Sequence, residues 1–200
     1  MIDLFVLVIT FARNKKTVMN KILTPKFIFI VSALVIAALS RLIPHPYNFT
    51  PIAGMALFGG ALLNDKKLAV IIPLAAMFIS DIFIGFHDQM LGVYLSFIMI
   101  SFIGFWLRSN NSAGKTILAS LSSSLLFFLV TNFYCWMIYP MYSKDLAGLI
   151  SAYTLAIPFY SNDVFGSFFV NTILGDLFYT SVLFGAYYLA TFRFPVLAKA

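Results

Sequence analysis

Apolar runs of bilayer-spanning length recur along this chain, and that recurrence constrains the fold more than any other feature. They run from Phe27 to Ile43, Pro51 to Leu63, Leu68 to Ile84, Met90 to Leu107, Thr116 to Tyr139 and Val164 to Ala190, with short polar punctuation between them. All but the second approach the roughly 17–25 residues that cross a hydrocarbon core as a helix. No period-two alternation runs through them, which argues against a membrane β-barrel. With 62% hydrophobic and 10% charged residues, the chain also lacks the polar surface that a water-soluble domain needs. The expected fold is an all-α polytopic membrane bundle of six transmembrane helices.

The basic residues orient it. With the N-terminus on the cytoplasmic side, Arg13, Lys15, Lys16, Lys21, Lys26, Lys66, Lys67, Arg108, Lys115, Arg193 and Lys199 all fall inside, and only Arg41 and Lys144 fall outside. Such a split predicts both termini inside, in a bacterial cytoplasmic membrane. The net charge of +6 therefore reflects topology, not a nucleic-acid surface. Residues 1–26 read as a cytoplasmic or interfacial extension, 27–190 as one membrane domain and 191–200 as a tail. Met19, followed by Asn20 and Lys21, is an alternative start. The outer stretch Leu146 to Tyr160 is too apolar for a solvated loop and predicts an interfacial or re-entrant helix.

Two features place polarity inside the apolar layer. The second segment spans about 20 Å at 1.5 Å per residue. The Pro-rich stretch from Pro44 to Thr50 before it cannot be helical throughout, so irregular backbone is expected at membrane depth, lining a polar cavity. Thr50 is the expected helix cap. The other feature is Asp176, near the middle of the sixth segment, where an ionised carboxylate costs on the order of 3 kcal/mol to insert. Thr172, Asp176 and Thr180 share a helix face, with Asn171 beside them. Asn132, Asp81 and Arg41 add polar groups on other segments, and Arg41 is a candidate ion-pair partner for Asp81 or Asp176. The alternative is a buried polar network that only locks helices together.

Small residues at four-residue spacing mark close helix contacts: Ala33 and Ala37, Ala56 and Gly60, Gly92 and Ser96, Ser120 and Ser124. The aromatic residues Tyr47, Phe49, Tyr94, Tyr134, Trp136, Tyr139, Tyr142, Tyr153 and Tyr160 read first as an interfacial belt. Catalytic signatures are wanting. Gly114-Lys115-Thr116 lacks the first glycine of a phosphate loop, and neither H-E-x-x-H nor G-x-S-x-G occurs. His45 and His87 are too isolated to define a metal site, and the lone Cys135 forms no disulfide or Cys-based zinc site. No cofactor is expected.

Spaced blocks resemble a bacterial membrane-protein family of unknown function. They are Arg41-Leu42-Ile43-Pro44-His45-Pro46, Asn48-Phe49-Thr50-Pro51-Ile52-Ala53, Ala56-Leu57-Phe58-Gly59-Gly60-Ala61, Ser80-Asp81, Ala156-Ile157-Pro158-Phe159-Tyr160 and Gly175-Asp176. The architecture also resembles the substrate-binding (S) components of energy-coupling-factor (ECF) transporters. That likeness implies six helices with both ends inside and a ligand held near the outer face under the loop joining the first two helices. It also implies a helix-one A-x-x-x-A surface, here Ala33 and Ala37, against a transmembrane coupling subunit that works with ATPases.

The leading expectation is thus a non-enzymatic subunit that captures a small, vitamin-like solute outside. Its candidate contacts are Asn48, Phe49, Thr50, Asp81, Asn132, Asn171 and Asp176. The alternatives are a structural subunit of a membrane complex and a stand-alone proton-linked transporter with Asp176 as the proton carrier.

Overall fold

The computed structural model describes residues 23–110, 112–157 and 167–198. These form seven helices: α1 (Pro25–Ser40), α2 (Ile52–Leu62), α3 (Lys66–Ile84), α4 (Met90–Arg108), α5 (Ala113–Ile138), α6 (Leu146–Ala156) and α7 (Phe168–Arg193), with a closing 3₁₀ turn, Pro195–Leu197. The described residues contain no extended sheet. Residues 1–22, most of the expected N-terminal extension, lie outside the described residues, as do 158–166 and 199–200.

Five helices begin on a side chain of their own segment. Thr24, Asp65, Ser112, Asp145 and Ser167 accept first-turn amides of α1, α3, α5, α6 and α7, relieving donors that have no partner within a helix. α2 has no such cap. The expected cap at Thr50 is displaced because the helix begins one residue later, at Ile52, behind Pro51. α1 stops at Ser40 in a turn where Arg41, Leu42 and Ile43 donate to Ala38, Leu39 and Ser40, and Pro44 and Pro46 prevent its resumption.

The helix ends sort by charge. Lys26 Nζ at the start of α1 lies 3.5 Å from Asn64 Oδ1 in the α2–α3 turn, and Arg108 at the end of α4 donates to the Asn64 carbonyl at 3.0 Å. Lys115 at the start of α5 donates to Asn110 Oδ1 at 2.9 Å. These residues share a basic end with Lys66 and Lys67, and Arg41, Asp81 and the Pro44–Thr50 loop lie at the opposite end. The helices therefore alternate in direction. α5 and α7 run antiparallel: Ser124 contacts Asp176, and one turn further along α5 Phe128 packs on Phe169, at the start of α7.

α2 is the axis of the bundle. All eleven of its residues are buried, and three glycines admit three neighbours. A Cβ on Gly54 would meet the α7 backbone at 3.1 Å, one on Gly59 the Pro73 ring of α3 at 2.5 Å, and one on Gly60 the Ser101 carbonyl of α4 at 2.6 Å. Around this axis large apolar side chains cover the outside as well as the core, and the buried polar groups lie between helices. Ile36, Phe83, Leu91, Leu189 and Phe192 face outward, and Ser96, Ser101, Ser120, Ser123, Ser124, Asn171 and Asp176 are buried. Apolar outside and polar inside is the pattern of a bundle solvated by lipid.

α3, α4, α5 and α7 are long and apolar enough to cross a membrane, which marks the chain as a membrane protein. Of the six spans expected, the other two correspond to shorter helices, α1 at 16 residues and α2 at 11, or about 24 Å and 16 Å. A helix begins at Leu146 as expected and ends at Ala156 (α6), and it packs on α5 through the Tyr153 hydroxyl, which donates to the Leu129 carbonyl at 2.8 Å.

Candidate functional site

The sequence-predicted residues fall into two polar clusters and one outlier. The first cluster joins the ends of α1, α3 and α4 away from the basic end. Arg41 Nη1 lies 2.6 Å from Asp81 Oδ1 and 2.5 Å from Ser80 Oγ, and also donates to the Met77 carbonyl at 3.3 Å. The Tyr94 hydroxyl donates to Asp81 Oδ2 at 2.7 Å. Guanidinium and carboxylate are both almost wholly buried, and Arg41 Nε is buried without a partner. A buried pair of this kind costs desolvation that its attraction must offset, so breaking it costs more than exchanging both partners for apolar groups.

The second cluster ties the loop before α2 to α7. The turn closes on itself, with Phe49 N donating to Pro46 O and Thr50 N to Asn48 O, both at 3.0 Å. Asn48 adopts φ 63°, a left-handed conformation that asparagine tolerates better than most residues. Asn171 Nδ2 donates to the Tyr47 carbonyl at 2.9 Å. Phe49 packs on Phe178 and Tyr179, with ring centroids at 5.6 Å and 5.8 Å. Gly175 allows this approach: a Cβ there would sit 3.0 Å from both Phe49 Cα and Thr50 N.

Asp176, one residue on, does not face an open hollow. It is 3% exposed, accepts the Ser124 hydroxyl at 2.7 Å, and is faced by the Ala53 amide in the first turn of α2. The carboxylate thus serves, from a neighbouring helix, the capping role that α2 lacks locally. The other end of α2 is matched by a cation. Arg108 donates to the carbonyls of Gly60 at 2.8 Å, Leu63 at 2.5 Å and Asn64 at 3.0 Å. A fully buried helix has its positive end on a carboxylate and its negative end on a guanidinium, both supplied by longer helices.

The outlier is Asn132, whose Nδ2 donates to Phe128 O of its own helix at 2.8 Å; it lies two turns, about 12 Å, from Ser124. Of the small-residue pair on α1, Ala37 is buried in the core and Ala33 packs against it. The outward stripe of that helix is Ile28, Val35, Ile36 and Leu39. A groove of ≈ 510 Å³ between α4 and α5, lined by Phe102, Ile103, Trp106, Leu118, Ala119 and Ser122, is apolar and suits acyl chains better than a polar solute.

Residues 21–197 match the model of a family of unknown function, DUF6580. The chain belongs to that family. No curated protein and no solved structure matches it. Membership therefore extends over every described helix and assigns no chemistry to the clusters. Sequence reasoning missed Arg108, Ser124 and Tyr94. Arg108 looked like a topology charge, Ser124 like a packing residue and Tyr94 like a belt aromatic, since each signal depends on what a different helix presents.

Proposed function

We propose that this DUF6580 protein is the solute-capture subunit of an uptake transporter of the energy-coupling-factor type. In this reading α1 and α2 complete six crossings with both termini inside a bacterial cytoplasmic membrane. A small, vitamin-like solute is captured outside, and a separate coupling subunit with ATPases drives its delivery.

The observation that carries the reading is α2: an eleven-residue helix buried along its whole length, entered through irregular backbone and ending on charged side chains. Interrupted helices of this kind are tolerated in a bilayer only within protein or beside a cavity, and they recur at the solute sites of transporters. The capture surface is assigned to the Arg41–Asp81–Tyr94 cluster together with the Pro44–Thr50 loop. A polar solute entering there would exchange its own donors and acceptors for the contacts that now join the guanidinium, the carboxylate and the phenol to one another. Asp176 and Asn171 act as struts that hold the loop and α2. With Ala37 turned inward, the coupling subunit would meet the Ile28–Leu39 stripe of α1.

The test is the thermal midpoint of the purified protein against a panel of water-soluble vitamins and their precursors, together with co-purification of ATPases from the native membrane. A ligand that raises the midpoint in wild type but not in a folded Arg41→Met/Asp81→Leu variant supports capture at this cluster. If no solute shifts the midpoint and no ATPase accompanies the protein, the reading fails. The contacts of Asp176 with Ser124 and the Ala53 amide, and of Asn171 with the Tyr47 carbonyl, favour a second reading, a structural subunit of a membrane complex. Under it, outward α1 substitutions such as Ile36→Ser abolish assembly and the Arg41→Met/Asp81→Leu variant has no effect. ATP-independent uptake into liposomes under a pH gradient would instead favour a proton-linked carrier.

A further inference from the structure

The Ser124–Asp176 contact has polar neighbours that the helix-capping role does not use. Ser120 lies one turn toward the basic end on α5, and Thr180 one turn toward the same end on α7. The helices are antiparallel, so the register that pairs 124 with 176 sets 120 opposite 180. Both side chains are buried, at 0% and 2% exposure, and Ser120 Oγ and Thr180 Oγ1 have no hydrogen-bond partner. Unpartnered hydroxyls away from water cost on the order of 1–3 kcal/mol each. α2 closes the third side, its Gly54 backbone tight against Thr180 N.

The charge is also incompletely matched. No basic side chain among the described residues pairs with Asp176, since Arg41 is held by Asp81 and Arg108 caps the far end of α2. The α2 N-terminus supplies roughly half a positive charge.

We propose that Asp176, Ser120, Ser124 and Thr180 form a sodium-ion site between α5, α7 and α2. One carboxylate and three hydroxyls make an all-oxygen donor set with a single negative charge, which matches a small monovalent cation. Calcium and magnesium sites draw on more carboxylates or retained waters, and transition metals favour imidazole or thiolate. No three His, Cys, Asp or Glu side chains come together among the described residues. A water molecule would satisfy the hydroxyls and leave the charge; sodium takes the hydroxyl lone pairs and matches the charge, with each O–H left to turn to a carbonyl of its own helix. The site would tie α7 to α5 beside the buried end of α2, whether or not the outer cluster captures a solute.

The experiment is thermal unfolding of the purified full chain, titrated with NaCl, KCl or choline chloride at constant ionic strength. A ligand that binds only the folded state raises the thermal midpoint once its concentration exceeds Kd, and the rise then grows with the logarithm of concentration; the sodium concentration at which the rise sets in is the sodium midpoint. Sodium should do so, with potassium and choline flat over the same range. Ser120→Ala/Thr180→Ala should move the sodium midpoint up at least tenfold while the sodium-free protein still unfolds cooperatively. Ser101→Ala, which removes a buried hydroxyl already bonded to the Phe97 carbonyl, should leave the sodium midpoint unchanged. Equal responses to all three salts, no response to any, or a wild-type sodium midpoint in the double variant would each overturn the site.

Discussion

Gly60→Ala tests the packing on which the placement of α2 rests. Gly60 and Gly104 are where α2 crosses α4. A Cβ on Gly60 would lie 2.6 Å from the Ser101 carbonyl oxygen and 2.9 Å from Gly104 Cα, and one on Gly104 would lie 2.8 Å from the Leu57 carbonyl oxygen. These obstacles are backbone atoms of two packed helices, so relief requires the helices to separate by several tenths of an ångström. Overpacking of this kind costs about 1–3 kcal/mol, and the backbone obstacle puts it near the top of that range. The better helix propensity of alanine returns up to about 1 kcal/mol, leaving a net loss of about 2 kcal/mol. Gly185, on the same bundle, has nothing within 4 Å of an added Cβ, so Gly185→Ala should gain about 0.5–1 kcal/mol. At roughly 2–4 °C per kcal/mol, the two variants should separate in thermal midpoint by on the order of 8 °C, one below wild type and one above. Gly60→Ala/Gly104→Ala should cost less than the sum of the single changes, because the first methyl has already opened the crossing. Intrinsic tryptophan fluorescence of detergent-purified protein reads all four. If Gly60→Ala and Gly185→Ala shift together, α2 does not cross α4 at this point and its placement at the centre of the bundle is wrong.

Removing Arg108 leaves the last carbonyls of α2 without their donor, so Arg108→Gln should cost about 2–4 kcal/mol; Arg108→Lys should recover only part, since the donors of an ammonium radiate from one atom and lack the spread of the two guanidinium nitrogens that reach these carbonyls, as thermal midpoints will show. Arg41→Met alone strands a buried carboxylate and should cost about 3–5 kcal/mol, whereas Arg41→Met/Asp81→Leu should return close to wild-type stability; equal losses in single and double variants would refute a coupled pair. At the exposed end of α6, the Gly148 amide first and the Ser143 hydroxyl second hold the Asp145 carboxyl below its ordinary value of 3.8. That contribution is fully present above 3.8 and fades as pH falls through the lower folded value. Exchange protection of the Gly148 amide, relative to its intrinsic rate, should therefore hold from pH 7 to 5 and drop only in stronger acid, whereas Asp145→Asn should be less protected from pH 7 to 5 and converge with wild type once the carboxyl is protonated.

The parts legible in the sequence are those set by short-range chemistry and by lipid. α3, α4, α5 and α7 announce themselves through length, apolarity and flanking Lys or Arg. α6 does so because Asp145 precedes an apolar run too short to cross. The end of α1 is readable from Pro44 and Pro46, which lack the amides that a continuing helix would need. The cost of a carboxylate at membrane depth singles out Asp176, but a cost does not say how it is met. Water in the polar cavity expected at this depth is one way to meet it; in the structure Ser124 and the first turn of α2 do so instead. That solution depends on α2 being short: its first amides end inside the bundle, beside a helix more than a hundred residues later in the chain. The same truncation explains Arg108. A helix ending inside protein leaves carbonyls that need a donor, and the four-residue step from Gly104, which lets α4 approach, to Arg108 puts the guanidinium one turn beyond the crossing, level with the end of α2. The short second segment and the two charges flanking it are therefore one feature: a buried half-length helix requires an acid at its start and a base at its end, and α7 and α4 supply them.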